Sequence, residues 1–562
     1  MRALKLDRRK PILVTCALPY ANGPCHLGHL RTYVPGDAFV RLLRKMKYDV
    51  VFICGSDAHG TPIVVEAEKA GISPEKLVER YHKRFQDVFR KIGISFDYYG
   101  CTHDETNHNR TREIIEALHR NGYIYEAETV QYYCPSCKKF LADRYIVGMC
   151  PHCGAEARGD ECDQGCGRYL SPGEVLNPRC AFCGMTPERK AVRHAFFKLS
   201  AFEGFLAKFI EQTEITPNAR GLAKSWLSRG LRDWCITRVL NWGVRYPRDP
   251  SLVVYVWVDA PIGYISFTED WSKISGIPWE KFWKRGEATI IHFIGADIAY
   301  HHCIFWPAML KGAGYSLPAA ILAHGMLTIN GMPFSKTRGN VVWVEQDLLD
   351  KGIDPDAIRY FILSSTSFTR DLDFNTSLLS SKVNDELIGI FGNYVNRALS
   401  FAYRYYGHVP SGELEEEVLD KIRESMEEFK KTLNDLDLRH ICTSFMSLAS
   451  FGNEYFQSRE PWVKFKTKPE ECSATIRNCL QITKALAVLS EPAMPAKARA
   501  IWEMLGLEGD VSSVSLEACL DPLPIGLEIQ KPKLLFKKLE AKTLKSIDEE
   551  LSRRRGGRAL GR

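Results

Sequence analysis

The sequence predicts an α/β protein: a doubly wound parallel sheet, split by a cysteine-rich insertion and followed by an α-helical bundle. Three observations carry that prediction. Short apolar runs with β-branched residues, at 11–17 (PILVTCA), 49–54, 252–257 and 289–294, alternate with helix-patterned stretches, as buried parallel strands joined by crossovers do. Between the second and third runs lies a block holding eight of the 18 cysteines, from Cys134 to Cys183. After residue 386, Leu387, Ile390, Phe391, Tyr394, Val395, Ala398, Leu399, Ala402 and Tyr403 repeat at i, i+3, i+4, an apolar stripe suited to a bundle, and 415–460 and 472–505 behave alike.

These patterns divide the 562 residues into a first α/β half at 1–120, a cysteine-rich insertion at 121–228 and a second α/β half at 229–325. A lysine-loop connecting region at 326–385, an α-helical domain at 386–530 and a basic tail at 531–562 follow. With 45% hydrophobic and 25% charged residues the chain is globular and long enough for several domains. The first residues carry charge with no apolar segment behind it, and no stretch approaches the ~20 apolar residues of a bilayer span. A soluble cytoplasmic protein without membrane contact is expected.

The strand at 11–17 is broken by Pro19, Asn22, Gly23 and Pro24, and Leu30, Val34, Phe39, Leu42 and Leu43 then recur at roughly helical spacing. This places His26 and His29 of the string HLGH at a strand-to-helix junction. Helix N-termini attract anions, and two imidazoles three residues apart can donate to phosphate oxygens. An isolated H-x-G-H is common by chance, so it needs a partner. Lys336 supplies one, in a loop-like stretch between Gly331 and Gly339 (FSKTRGN), where a mobile cation would stabilise charge developing on a phosphate. In a doubly wound sheet the site lies at the carboxyl ends of the strands, where HLGH, Asp57 and Trp257 all fall.

The cysteines form three C-x2-C pairs, Cys134 with Cys137, Cys150 with Cys153 and Cys180 with Cys183, and one C-x3-C pair, Cys162 with Cys166. Eight thiolates make two tetrahedral zinc sites of four, with every position filled by protein, so their role is structural. Iron–sulfur ligation is the alternative, and disulfides fit neither the knuckle spacing nor a reducing compartment. Spacing leaves sequential and nested pairing both open. The net charge of +7 is matched by the last 32 residues, where eleven Lys/Arg face four acids. That arm reads equally as a polyanion-binding extension or as a solubilising tail.

HLGH and the Lys336 loop, with ALPYANG at 17–23, GSDAHGTP at 55–62, VWVDAPIGY at 256–264, HFIGAD at 292–297 and FWPAML at 305–310, together resemble class I aminoacyl-tRNA synthetases of the methionyl type. The similarity spans 12–340 and continues more weakly to about Trp462. It implies a Rossmann-like catalytic domain that attaches L-methionine to tRNA(Met) through methionyl-adenylate, releasing AMP and pyrophosphate. His26, Gly28, His29, Ser335, Lys336 and Thr337 would bind ATP with Mg2+, with His26, His29 and Lys336 catalytic. Leu18, Tyr20, Trp257, Ala260, Pro261, Tyr264, Ile298 and His302 would line the methionine slot, and Asp57 would hold the α-amino group. The resemblance further implies nested knuckles, with Cys150, Cys153, Cys162 and Cys166 inside and the other four outside. It also implies an anticodon-binding bundle in which Asn396 and Trp462 contact bases.

Departures accompany the likeness. Pro333 stands where the family's K-M-S-K-S string has its first lysine, Ala296 where lysine is common, and Ser400 where some members carry an arginine that Arg397 or Arg404 could replace. No family-type dimerisation domain follows the bundle, so a monomer is expected. Synthetases for isoleucine, leucine or valine carry a far longer editing insertion. The competing reading is a catalytically inactive, synthetase-derived, zinc-containing RNA-binding protein.

Overall fold

The computed structural model describes residues 4 and 6–556, apart from 142–144, 160, 163, 171–172 and 337. Its centre is a six-stranded sheet in the order Glu214–Ile215, Ala320–His324, Thr289–Gly295, Ile12–Cys16, Val50–Ser56, Tyr98–Cys101. All neighbours are parallel. The strands read as unbroken apolar runs because both faces are covered. Val14, Cys16, Phe52 and Phe293 join one cluster with Leu30, Val34 and Phe39, while Leu13, Ile53, Ile290 and Ile294 join another with Ile262, Ile265 and Phe305. Alternate residues thus serve opposite cores, the period-two consequence of the pleat.

The run at 252–257 departs from expectation. Asp249–Val254 is not a strand of the parallel sheet; it pairs antiparallel with Thr237–Arg238 and Arg245–Tyr246. The chain then turns into helix Val256–Ser275, which puts Trp257 in a helical first turn. A continuous run of β-branched and aromatic residues reads as strand, but a helix buried on nearly every side has the same composition, and periodicity cannot separate them.

The insertion is a long antiparallel ribbon, Ile124–Cys134 with Glu188–Phe197, that carries the cysteines at its far end. Residues 203–227 stay with the parallel-sheet core: Leu206, Phe209, Ile210, Ala219 and Ala223 share a cluster with Phe305 and Ile321, and Glu214–Ile215 is the sheet's edge strand. Helices Asn393–Tyr405, Glu416–Asp435, Arg439–Arg459, Pro469–Ser490 and Pro495–Met504 form the C-terminal bundle. Among the described residues no helix is long and apolar enough to cross a membrane.

The basic arm is described through Gly556. Helix Ala541–Gly556 buries Ile547 and Leu551, and Asp548 accepts from Thr376 Oγ1 at 2.7 Å. Arg554 reaches both oxygens of buried Asp347 at 2.8 and 2.9 Å and the carbonyl of Val341 at 2.7 Å. Gly339 is needed beneath it, since its φ is +73° and a Cβ would lie 2.5 Å from the Arg554 carbonyl oxygen. The arm therefore docks beside the lysine loop, and Arg554 is committed to an internal ion pair.

A buried charge network joins the α/β domain to the bundle. Asp37 accepts from Arg41 Nε and from an Arg359 guanidinium nitrogen, each at 2.7 Å, and from the Ser95 amide at 2.9 Å. Arg41 also reaches Glu491, and Arg359 donates to the carbonyls of Pro492 and Ala493. Burial raises the Asp37 pKa, but the two guanidiniums outweigh it and hold the carboxyl below its ordinary value. Asp37→Asn leaves an unbalanced cation in the interior, and a loss of about 3–5 kcal/mol by chemical denaturation is expected. Because the folded pKa is depressed, this contribution is present above the unfolded aspartate pKa and fades as pH falls through the folded value. The wild-type advantage over Asp37→Asn should shrink in acid.

Candidate active site and cysteine centres

His26 is the N-cap of helix Leu27–Lys45. Its Nδ1 accepts from the His29 amide and His29 Nδ1 accepts from the His26 amide, each at 3.2 Å, a reciprocal capping box built from two imidazoles. The rings stack at 3.5 Å with 17° between planes. Gly28 keeps this arrangement possible, because a Cβ there would meet His26 Nδ1 at 3.0 Å. With Nδ1 accepting, the proton of each neutral ring sits on Nε2. Burial, then His29 and Lys336, drives the His26 pKa well below its usual value, and burial and then Lys336 do the same to His29. Both rings are therefore neutral, each with an Nε2 proton available to donate.

The lysine loop is held against this cap by backbone pairing that sequence reading did not anticipate. The Leu27 amide donates to the Val342 carbonyl at 2.9 Å and the Val344 amide to Cys25 at 3.0 Å, so the segment after the loop zips onto the segment before the helix. Only a β-branched VVWV at 341–344 hinted at it. Phe334 lies 4.7 Å from the His26 ring, and Pro333 pairs with Thr328 in a short hairpin, so the residue replacing the family's first lysine stiffens the loop base. Ser335 bridges to Asn340 across the loop; Thr337 lies outside the described residues. Burial lowers the Lys336 pKa, against the opposing pull of Cys25 and Glu66. Lys336, Trp343, Asn22, Gly23, Pro24 and Glu66 line one cleft of about 1030 Å³.

Asp57 is 3% exposed and backbone-paired with the Pro19–Ala21 segment, which runs directly into Asn22, Gly23 and Pro24 of the cleft wall. Its Oδ1 accepts from the His59 amide at 3.2 Å. Burial, and then the like charge of Asp259, push its pKa well up, the situation of a carboxylate awaiting a cation. Tyr20 meets Trp257 edge-on at 6.4 Å, and Trp257 stacks on His301 at 3.7 Å. Tyr264 Oη and His302 Nε2 are 2.9 Å apart, and His302 Nδ1 faces the Ile298 carbonyl at 3.3 Å. Leu18 packs toward Gly263, where a Cβ would come within 3.0 Å of it, and Ala260 and Pro261 are buried in the same helix. All nine residues expected at the amino-acid slot thus lie on the segments around Asp57 and Trp257. His301 was not among them, and only its place beside His302 could have signalled it.

The cysteines form two groups of four, Cys134, Cys137, Cys180 and Cys183, and Cys150, Cys153, Cys162 and Cys166. The pairing is nested. Sulfur–sulfur separations are 3.5 Å for Cys134–Cys183 and Cys153–Cys162, and 3.8 Å for Cys137–Cys180 and Cys150–Cys166. A tetrahedron with Zn–S near 2.3 Å requires about 3.8 Å. The longer Cys162–Cys166 knuckle is accommodated by Gly165, where a Cβ would strike Cys153 Sγ at 2.7 Å, and by Gly167 at φ +65°.

The comparisons with known proteins agree with this geometry. The family model for class I tRNA synthetases (M) matches residues 12–399, and that for the anticodon binding domain of methionyl tRNA ligase matches 408–556. The chain belongs to the methionyl-tRNA synthetase family. It is 52% identical to the methionine–tRNA ligase of Methanothrix thermoacetophila over 98% of this chain and 82% of that one. It is 52% identical to that of Methanosarcina acetivorans over 97% and 76%. Mycobacterium tuberculosis methionyl-tRNA synthetase in complex with methionyl-adenylate superposes with a TM-score of 0.78 at 27% identity, covering 94% of this chain and 99% of that chain.

In this methionyl-tRNA synthetase family member, the bundle presents Trp462 at 41% exposure on the short helix Pro461–Thr467, its ring 6.0 Å from Phe456. Arg397 lies over Phe456 at 4.7 Å and donates to Gln457 at 2.9 Å. Asn396 accepts from Ser400 at 3.3 Å, so the serine in the arginine position is tied down. An open groove of about 630 Å³ lined by Asn393, Arg397, Asn453 and Gln457 runs nearby.

Proposed function

We propose that this chain activates L-methionine with ATP and transfers it to tRNA(Met), with the residue roles that follow. The observation that carries the proposal is the docking of the lysine loop onto the histidine cap: the Leu27–Val342 and Val344–Cys25 backbone bonds bring Lys336 near enough to the stacked His26–His29 pair to lower both imidazole pKa values, and Lys336 lines one cleft with Asn22, Gly23 and Pro24, which follow the segment paired to Asp57. Asp57 takes the substrate ammonium, whose charge compensates the burial of its carboxylate. Trp257, Tyr20, Tyr264 and His302 surround the side chain with polarizable faces suited to a thioether. The methionine carboxylate oxygen attacks the α-phosphorus in line, the bond to the bridging oxygen breaks, and pyrophosphate leaves. His26 and His29 donate from Nε2 to phosphate oxygens, and Lys336 offsets the charge that builds as pyrophosphate departs. Mg2+ carried in with ATP supplies further charge neutralisation. In the second step the terminal ribose hydroxyl of the tRNA attacks the carbonyl carbon and AMP leaves.

The two cysteine groups hold structural zinc, for which their sulfur spacing and filled coordination are suited. Trp462 stacks on an unpaired anticodon base while Asn396 reads a base edge. The test is ATP–pyrophosphate exchange across the twenty amino acids, followed by charging of tRNA(Met). Exchange with methionine alone and charging of that tRNA are expected. No exchange from folded, zinc-containing protein would leave the RNA-binding reading as the better account.

A further inference from the structure

Three histidines outside the capping pair converge behind Asp57. His59 lies two residues beyond that carboxylate, His103 follows strand Tyr98–Cys101, and His108 sits on helix Glu105–Arg120. His59 Nε2 is 3.0 Å from His103 Nδ1, and the three ring centroids stand 5.1–5.3 Å apart. One nitrogen from each ring lies within 4.8 Å of the others. On its far side His59 Nδ1 is 2.7 Å from Asp259 Oδ2, with both side chains fully buried. His108 Nε2 is buried with no hydrogen-bond partner among the described residues. Trp242 closes the other flank, stacked on His103 at 4.2 Å and anchored by its indole nitrogen to the Ala58 carbonyl at 2.7 Å.

We propose that His59, His103 and His108 form a metal site for Zn2+ or a neighbouring transition cation, separate from both cysteine clusters, with Asp259 as the carboxylate that orients His59. A plain packing cluster explains the arrangement poorly. A buried ring nitrogen without a partner is costly, and here it belongs to a ring that brings one nitrogen within 4.8 Å of a nitrogen on each of two other imidazoles. Burial lowers the His59 and His108 pKa values to about 3 and that of His103 below its usual value, so all three rings are neutral ligands at physiological pH.

The Asp259–His59 pair has the form of a carboxylate–histidine–metal triad: a metal at Nε2 requires the proton on Nδ1, and Asp259 Oδ2 is placed to accept it. Three imidazoles with no carboxylate among them select zinc, cobalt, nickel or copper over magnesium or calcium. Zn–N bonds near 2.0–2.1 Å put ligand nitrogens about 3.4 Å apart, so the His59–His103 pair opens by a few tenths of an ångström and His108 moves inward. His103 and His108 are only half-buried, which leaves a solvent side for water as fourth ligand. An ion here ties helix Glu105–Arg120 to the segment whose His59 amide holds Asp57.

The experiment titrates Co2+ into the full chain with its cysteine sites already filled by zinc. Wild type is expected to take up one further equivalent, with weak visible d–d bands and no thiolate-to-metal charge transfer. His108→Asn and His103→Gln are expected to lose that equivalent while keeping the wild-type zinc content and melting temperature. Equal Co2+ uptake by wild type and both variants overturns the site, as does thiolate charge transfer accompanying all uptake.

Discussion

Lys336→Ala is expected to lower methionine-dependent pyrophosphate exchange by roughly 10²–10³-fold, with a much smaller change in the KM for methionine. The lysine lines the cleft alongside Trp343 and Glu66, and none of the nine slot residues lines that cleft, so in the proposed mechanism its charge serves the departing pyrophosphate and not the amino acid. Pro333 raises the stake. Where the family string carries a first lysine, this chain has a ring locked into the hairpin opposite Thr328, which leaves Lys336 as the lysine of that string. Lys336→Arg should recover only part of the loss, since a planar, five-donor guanidinium does not place its charge as a compact ammonium does. Equal falls in exchange and in methionine affinity would show instead that the substitution collapses the loop.

The parallel sheet and the cysteine groups were legible because each obeys a local rule. Strands buried on both faces give unbroken apolar runs, and tetrahedral sites need paired cysteines at short spacing. The reading failed where the rule is degenerate. VVYVWVDAP at 253–261 satisfies strand and buried-helix composition alike, and only its antiparallel partner at 237–238 and the helix after it decide. The nested order of the knuckles was not in the spacing; it follows from the ribbon that brings Cys134 and Cys180 to one end. The 203–227 stretch lies in sequence beside the insertion but buries its apolar faces against the sheet, a long-range choice that no local pattern records. Likewise the basic tail read equally as a polyanion-binding extension or a solubilising tail, and neither reading foresaw that Ile547, Leu551 and Arg554 dock its described part beside the lysine loop.

Cys134→Ser is expected to remove both zinc ions and most of the activity, whereas Cys166→Ser should remove one zinc and leave activation largely intact. The asymmetry follows from the nesting. The outer group joins the two ends of the ribbon, Cys134 and Cys137 from one side and Cys180 and Cys183 from the other, and the inner group hangs from the loop between them. Structural zinc contributes roughly 10–16 kcal/mol of folding free energy in small knuckles, so a lost outer ligand frees everything it encloses. Part of the cleft wall goes with it, because Tyr145, Ala181 and Phe182 line the cleft from this lobe. The Ala181 amide holds the Tyr145 carbonyl at 2.8 Å, and the Phe182 ring packs 4.4 Å from Tyr145 under the Lys139 ammonium. Cys166 is exposed and remote from that wall, so its loss stays in the inner lobe. Zinc content by atomic absorption, limited proteolysis between 134 and 183, and pyrophosphate exchange separate the cases. Equal zinc loss and equal activity in the two variants would mean that the lobes fold independently and that the outer site does not shape the cleft.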